Sequence, residues 1–241
     1  MALAQAGATF MSGLVGDVSI PVYSGSNTAW AGETAAAADG AGTFSEVKMS
    51  PKRLTAYLTV SKQFLAQDST SAEALLKSDI VKAISEKLES TILGTAAGST
   101  TQPAGLFNGV TADTTAVDWA SIVNNEAALE SANVNNYSYI VSPTAKAALK
   151  QTAIGGTKSD IRMIMDGNEV DGHAVVSTSN VAGKGVLVGD FSEILIGQWG
   201  AIDLIVDPYT QAKNGCIVLV INAYFDAVVR RPQAINARIL K

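Results

Sequence analysis

The sequence is poor in the residues that most catalytic and metal sites need. Its single cysteine, Cys216, cannot form a disulfide within the chain, so the fold needs no oxidising compartment. Its single histidine, His173, is the only residue around which a Ser-His-Asp triad or a histidine-containing metal site could be built. These shortages exclude disulfide-stapled scaffolds and most hydrolase and metalloenzyme classes.

Long apolar runs and an excess of positive charge are also missing. No stretch reaches 18 uninterrupted apolar residues, and residues 1–16 lack the basic start of a secretory signal. With 17 basic and 22 acidic residues the net charge is -5, so little can be gained from counterion release on a phosphate backbone. We therefore expect neither a membrane partner, nor export by that route, nor sequence-specific binding of nucleic acid.

The composition nevertheless predicts a folded protein. Hydrophobic residues make up 47% of the 241 residues, and a chain of this length can close a core of its own. Charged residues are only 16%. Disorder, collagen and coiled coil are excluded as descriptions of the whole chain.

Segments that superficially resemble active-site motifs lack the required spacing. Gly183-Lys-Gly185 and Gly155-Gly-Thr-Lys-Ser159 do not match the phosphate-binding loop, and no Gly-x-Ser-x-Gly elbow occurs. Glu86 and Glu89 lie three apart, but nothing completes a metal set, so a solvated helix face is predicted. His173 begins an apolar strand and is interpreted as structural. We expect no enzyme, no cofactor and no metal; a small hydrolase built on His173 is the remaining catalytic alternative.

The first sixty residues predict extended structure that does not bury itself. Residues 1–16 have too little apolar content to pack by themselves and are interpreted as an arm. Residues 18–23 alternate as a strand, with Pro21 favouring a sheet edge, and residues 54–61 alternate strictly. We expect these two strands to pair and to bracket a projecting hairpin, because the Ala- and Gly-rich residues 24–46 could form no core.

A long amphipathic helix is predicted next, over about 71–93. Thr70 and Glu73 have the spacing of a capping box, and Gly94 is expected to supply a left-handed C-terminal position. One apolar stripe runs along this helix. Charged positions lie off that stripe: Glu73, Lys77, Lys82, Glu86 and Glu89.

The remaining chain predicts an α/β subdomain and a long final strand. A second helix begins after the N-cap Asp118, and a strand over 137–141 is followed by a short helix with Pro143 in its first turn. Further strands are predicted at 173–177, 185–188, 193–197 and 201–206, and a long apolar strand at 216–229.

The charge distribution favours self-association. Residues 43–62 and 226–241 each carry four basic residues against one acidic residue, although the whole chain is acidic. Such segregation suits electrostatic complementarity between copies; ordinary scatter of surface charge is the alternative. Together with an arm, a hairpin and a helix that do not bury themselves, it predicts a chain that completes its packing on neighbours.

Seven segments, in order along the chain, carry a family resemblance. They are Val18-Ser-Ile-Pro-Val22, Ala29-Trp-Ala-Gly-Glu33, Phe44-Ser-Glu-Val-Lys-Met-Ser-Pro-Lys-Arg-Leu54, Gln102-Pro-Ala-Gly-Leu106, Gly189-Asp-Phe-Ser192, Val206-Asp-Pro-Tyr209 and Val229-Arg-Arg-Pro232. In these segments the chain resembles the major capsid proteins of tailed phages with the Hong Kong 97-type fold. The resemblance implies an α+β fold with an N-terminal arm, an extended E-loop, a long spine helix, and peripheral and axial domains.

The resemblance also implies domain boundaries and a function. Residues 1–17 would be the arm, 18–62 the E-loop, 63–110 with 202–230 the peripheral domain, and 111–201 with 231–241 the axial domain. The chain would assemble as hexamers and pentamers into an icosahedral phage head, enclosing double-stranded DNA without reading its sequence. It would be part of the virion after assembly in the host cytoplasm. Scaffolding, portal and cement proteins would be possible further partners.

Inter-subunit contacts are implied at ten positions: Trp30, Glu33, Lys48, Lys52, Arg53, Glu86, Glu89, Asn214, Arg230 and Arg231. The basic E-loop residues are expected to meet acids of a neighbour's spine helix. Reversing the charges of Lys52 and Arg53 is therefore expected to block assembly and leave folded subunits. A covalent bond between Lys48 or Lys52 and Asn214, of the kind some shells in the family form, is a further option.

Two alternatives and one departure from the family pattern remain. An encapsulin-like compartment would be indicated by a packaged cargo enzyme, and a gene-transfer-agent shell is a related option. Many relatives carry an N-terminal scaffolding segment that a protease removes, whereas this chain opens at Met1 close to the arm. We expect either a mature or recombinant form, or scaffolding by a separate protein.

Overall fold

The protein is described by a computed structural model that covers residues 1–67, 69–155 and 162–241, with side chains for all of these except 65–74 and 77. The helices are α1 Ala2–Gln5, α2 Lys62–Gln67, α3 Ser69–Ile92, α4 Trp119–Ser131 and α5 Pro143–Gln151. The strands are β1 Thr9–Met11, β2 Val18–Tyr23, β3 Phe44–Met49, β4 Lys52–Ser61, β5 Ser138–Val141, β6 Met165–Asp166, β7 Glu169–Val170, β8 His173–Ser177, β9 Gly185–Gly189, β10 Ile194–Asp207, β11 Cys216–Val229 and β12 Ile235–Ile239.

A four-stranded sheet packs against the long helix α3. Its strand order is β1-β10-β11-β4, with β11 antiparallel to both of its neighbours. Ile84 and Leu88 of α3 share one buried cluster with Ile221 and Phe225 of β11. The two helix residues are four positions apart and so share one face of α3, while residues an even number of positions apart share one face of β11. These two faces pack against each other. The long final strand predicted from the sequence is confirmed.

A second sheet forms the other half of the core. Its order is β12-β9-β5-β8-β7-β6, and α4 and α5 contribute Ile122 and Leu149 to its buried cluster. Asp118 caps α4 by accepting a hydrogen bond from the Ser121 N–H at 2.9 Å, and Pro143 stands in the first turn of α5. Both predicted helix starts are confirmed.

The hairpin has a different partner strand from the predicted one. β2 pairs with β3, Tyr23 opposite Phe44, while β4 pairs with β11. The predicted pairing of residues 18–23 with 54–61 is therefore wrong. The reason is that the apolar residues of β4, such as Leu54, are needed in the core under α3, which β11 already borders. The projecting character of residues 24–43 is confirmed, because nearly all of them are exposed.

Part of the predicted arm packs on the chain's own core. Leu3 of α1 is fully buried, and Thr9–Met11 forms a parallel ladder with residues 195–197. Residues 1–16 are poor in apolar side chains, yet Leu3 reaches the main core cluster. A segment with few apolar residues can therefore still pack, because the rest of the chain forms the core that encloses Leu3.

The C-terminal end of helix α3 is capped differently from the prediction. Gly94 does not adopt a positive φ, so the expected left-handed cap is wrong. Leu106 and Phe107 donate their N–H groups to the carbonyl oxygens of Ile92 and Gly94, at 2.7 and 3.0 Å. This return crossing needs Gly105, because a Cβ there would lie 2.1 Å from the Gly94 oxygen.

Two predictions lie outside the description. The capping box of Thr70 and Glu73 falls among the undescribed side chains, and most of the 155–159 segment falls in the 156–161 gap.

The predicted strands 193–197 and 201–206 are one strand, β10, with an irregular register between Trp199 and Asp203. Gly200, at a φ of 69°, absorbs the bend. Within the described ranges, no helix has the length and apolarity needed to cross a bilayer.

Candidate inter-subunit surface

Nearly all residues of the hairpin tip, which we define as residues 24–43, are exposed. Trp30 projects fully into solvent, and Glu33 beside it is exposed. The tip contains Glu33 and Asp39 but no Lys or Arg, so it is acidic. Tryptophan is enriched among the residues that contribute most of the binding energy at interfaces, so Trp30 is a candidate anchor.

Tyr23 fixes the point where the hairpin opens into the tip. Its hydroxyl lies 2.8 Å from Ser26 Oγ and accepts the Gly42 N–H at 2.9 Å, and its ring tilts against Phe44 at 4.7 Å. The hydrogen bond to Ser26, followed by that to Gly42, lowers the pKa of Tyr23. The hydrogen bonds of Tyr23 thus shape the base of the tip from within the hairpin.

The hairpin base is tied to the body by a buried carboxylate. Asp226, only 2% exposed, accepts from the Ser50 N–H at 3.0 Å and from the Ala227 N–H at 2.9 Å. Lys52 Nζ lies 2.5 Å from Asp226 Oδ2, and the Lys52 side chain is 12% exposed. Lys52 therefore neutralises an acid of its own chain, and its contact with a neighbouring subunit stays a prediction.

The other basic residues of the hairpin region remain accessible. Arg53 is exposed and donates from Nε to Asn222 Oδ1 at 2.9 Å. Lys48 is exposed on β3, and its Nζ lies 3.8 Å from Glu46 Oε2. Both can still take part in a contact between copies.

The two acids predicted on the spine helix have opposite surroundings. Glu86 is exposed, with an oxygen 3.8 Å from Lys82 Nζ. Glu89 is 4% exposed, and its two oxygens accept from the Leu3 N–H at 3.1 Å and from Asn180 Nδ2 at 2.8 Å. The prediction that Glu89 lies on a solvated face is wrong, because the N-terminal segment and the loop at Asn180 cover it.

The last three candidates lie on the body. Arg230 donates to both oxygens of Glu193, at 2.7 and 2.9 Å, and this hydrogen-bonded pair raises the Arg230 pKa. Arg231 donates to the Ala132 carbonyl. Asn214 is exposed, and its side-chain amide donates to Gln211 Oε1 within the same turn. The two arginines therefore have partners within their own chain, while Asn214 stays open.

A buried polar cluster in the second sheet was not predicted. Tyr139 donates its hydroxyl to Glu126, whose pKa is raised by burial. Tyr137 donates to Glu130 at 3.4 Å and stacks on His173, with 4.0 Å between the ring centroids. The sequence offers no signal for it, because the residues come from α4, from β5 and the position just before it, and from β8. His173 is a packing partner here.

Alkaline pH tests this cluster. Burial raises the pKa of Tyr137 to about 12 and raises that of Tyr139 further. Since the unfolded tyrosines ionise near pH 10, their contribution to stability is complete below pH 10 and is lost as the pH rises towards 12. We expect the urea midpoint to fall between about pH 10 and 12, and to fall less in Tyr137→Phe. The exposed Tyr57→Phe is the matched control; an equal change in both variants would contradict the assignment.

The described part of the chain contains no group of three His, Cys, Asp or Glu residues placed to hold a metal ion.

Comparison with known proteins relates the chain to capsid proteins. The family model of the phage capsid family matches residues 1–237. The major capsid protein of Halomonas phage phiHAP-1 is 29% identical over 242 residues, covering 97% of this chain. The chain spans only 40% of the length of that relative.

Solved structures share the fold along the whole chain. The capsid of a native GTA particle superposes with a TM-score of 0.76 at 15% identity, covering 100% of this chain and 89% of that one. A structure of Mycobacterium phage Bobi gives 0.78 at 16% identity, covering 100% and 90%. At these identities the likeness establishes the fold alone, a phage capsid-like α+β arrangement of helices and sheets.

Proposed function

Because the chain belongs to the phage capsid family, we propose that it is a major capsid protein, assembling as hexamers and pentamers into an icosahedral head. The carrying observation is the hairpin tip, which is almost entirely exposed and presents Trp30 to solvent. A segment of this kind is stable in one arrangement only when a neighbour covers it. The head would enclose double-stranded DNA, and the net charge of -5 fits a wall that does not bind DNA by sequence.

The proposal includes the Hong Kong 97-type division of the chain. Residues 1–17 form the arm, 18–62 the E-loop, 63–110 with 202–230 the peripheral domain, and 111–201 with 231–241 the axial domain. Sheet membership supports most of it, since every strand of the six-stranded sheet lies in the proposed axial ranges. β4 belongs to the proposed E-loop by position but to the four-stranded sheet by pairing, so the freely projecting part of that loop ends near Met49.

The same proposal covers location and partners. The chain would reside in the virion after assembly in the host cytoplasm, with scaffolding, portal and cement proteins as further contacts. Its role is structural and asks for no catalysis or cofactor. The construction rests on repeated contacts between identical copies, each of which is individually weak.

A gene-transfer-agent shell is the second candidate. It is favoured by the structural likeness to the capsids of native and empty GTA particles, with TM-scores of 0.76 and 0.78. Sequencing the enclosed DNA separates the two functions, since a phage head would carry the gene for this chain on a phage genome. An encapsulin-like shell would instead hold a cargo enzyme.

Assembly of the purified chain tests the proposal. We expect closed shells by negative-stain microscopy and a void-volume peak on size exclusion. The matched control deletes residues 28–39, which joins Asn27 to Gly40. These two residues already meet, with the Asn27 N–H 2.9 Å from the Gly40 oxygen, and together they form the Asn-Gly sequence favoured in two-residue hairpins.

The shortened chain should keep its unfolding midpoint and form no shells, because the deleted residues are exposed and include Trp30 and Glu33. A full-length chain that stays monomeric at high concentration would overturn the proposed function. Shells from the shortened chain would overturn the role of the tip.

A further inference from the structure

A small cleft on the body carries positive charge that the chain does not neutralise. It measures about 130 Å³ and lies where the long helix α3, strand β4 and the segment at 101–103 meet. Its floor is apolar, with Leu88 and Phe225 buried. Arg53, Lys87, Thr101 and Gln102 are among the residues that line it.

Both cations are available to a ligand. Arg53 uses only Nε, on Asn222, which leaves both Nη groups of the guanidinium for another acceptor. Lys87 is exposed and has no acidic partner among the described residues. The third cation of the cleft, Lys52, is already neutralised by Asp226. Neighbouring Lys82 and Glu86 neutralise each other along the helix. Two unit charges therefore remain uncompensated.

The hairpin tip has the complementary character. It carries Glu33 and Asp39 without any basic residue, and both side chains are exposed. Trp30, three residues before Glu33, offers an apolar surface next to the acid. An arginine guanidinium binds a carboxylate through two parallel N–H groups, which gives such a contact a fixed orientation.

We propose, building on the proposed function, that the acidic tip of one copy docks on the Arg53–Lys87 cleft of a second copy. The polarity is opposite to that expected from the sequence, in which basic loop residues met acids of the helix. Because tip and cleft are different surfaces, the contact is head-to-tail, and repetition of it closes rings of subunits. The charges set the register of the contact and the rate at which the two copies associate. Apolar contact around Trp30 stabilises the docked tip.

Charge exchange tests the pairing. Glu33→Lys with Asp39→Lys reverses the tip, and Arg53→Glu with Lys87→Glu reverses the cleft. We expect each reversal to lower the shell yield at least tenfold, and the combination of both to recover most of it. Lys62→Glu with Lys150→Glu, an equal charge change on two exposed lysines outside both surfaces, is the control and should assemble normally.

Folding is monitored separately, because Arg53 also bonds Asn222. If the cleft variant has a lowered unfolding midpoint, Lys87→Glu alone against Glu33→Lys alone repeats the exchange with two exposed residues. A second measurement uses shells from mixed light and heavy chains treated with a carbodiimide, in which Glu33 of one label should join Lys87 of the other.

The outcomes separate this inference from the function on which it rests. Normal shells from the reversed tip, or no recovery in the combined variant, overturn the pairing while the capsid function stands. Failure of the unaltered chain to assemble overturns the function itself.

Discussion

Replacing Asp226 with alanine is expected to lower the free energy of unfolding by about 3–5 kcal/mol, because it removes one partner of a buried ion pair. The Asp226 carboxylate is 2% exposed and Lys52 is 12% exposed, with 2.5 Å between Lys52 Nζ and Asp226 Oδ2. The variant leaves the Lys52 ammonium enclosed without a counter-charge. It also leaves the Ser50 N–H without its acceptor.

The measurement is equilibrium urea unfolding of four proteins: the unaltered chain, Asp226→Ala, Lys52→Met and the combination. We expect the combination to be more stable than Asp226→Ala, because it removes the uncompensated charge as well. Strictly additive effects would show that the two residues do not interact. The same geometry changes the expected result of reversing Lys52 and Arg53, which now predicts unfolded chains rather than folded subunits that fail to assemble.

The Asp226 contact also orients the hairpin. It ties Ser50 and Lys52, which flank the step from β3 to β4, to strand β11. We expect Asp226→Ala to accelerate hydrogen exchange more in β3 than in β5, which belongs to the six-stranded sheet. Equal acceleration of both strands would mean that the carboxylate supports the body as a whole and not the hairpin in particular.

Replacing Glu89 with alanine is expected to lower the free energy of unfolding by about 2–4 kcal/mol, because two hydrogen bonds to a buried carboxylate are lost and their donors stay enclosed. The donors are the Leu3 N–H and Asn180 Nδ2. These contacts join the N-terminal segment, the long helix and the loop before Gly183. We therefore expect residues 2–5 to detach from α3 in this variant.

The matched control is Glu86→Ala, one helical turn away on the same helix. Glu86 is exposed and has only a distant ion pair, so its removal should change stability by no more than about 0.5 kcal/mol. Limited proteolysis reports the N-terminal segment directly: we expect cleavage before residue 9 in Glu89→Ala and not in Glu86→Ala. Equal stability of the two variants would contradict the buried position of Glu89.

The sequence itself determined the features that depend on neighbouring residues. Periodicity and caps located α4 from Asp118 and α5 from Pro143, and the strict alternation of residues 54–61 located β4. The exposed tip followed from a run of Ala and Gly that no core could use. Seven short segments in order pointed to the phage capsid family, which the family comparison confirmed.

One buried acid did leave a trace in the sequence. Asp226 is the single charged residue of the mostly apolar strand Cys216–Val229, and a charge in such a strand needs a partner. The trace says that a partner exists without naming it, since Lys52 is far away along the chain.

Only the tertiary structure decided which charges face solvent and which strands pair. Glu86 and Glu89 look alike in the sequence, yet one is exposed and the other is covered by residues 86 and 91 positions away. Lys52 and Arg53 are adjacent, yet one is neutralised and the other available. Periodicity fixes the face of a helix or strand, whereas burial of a charge depends on where distant segments return, and that is settled by the packing of the whole chain.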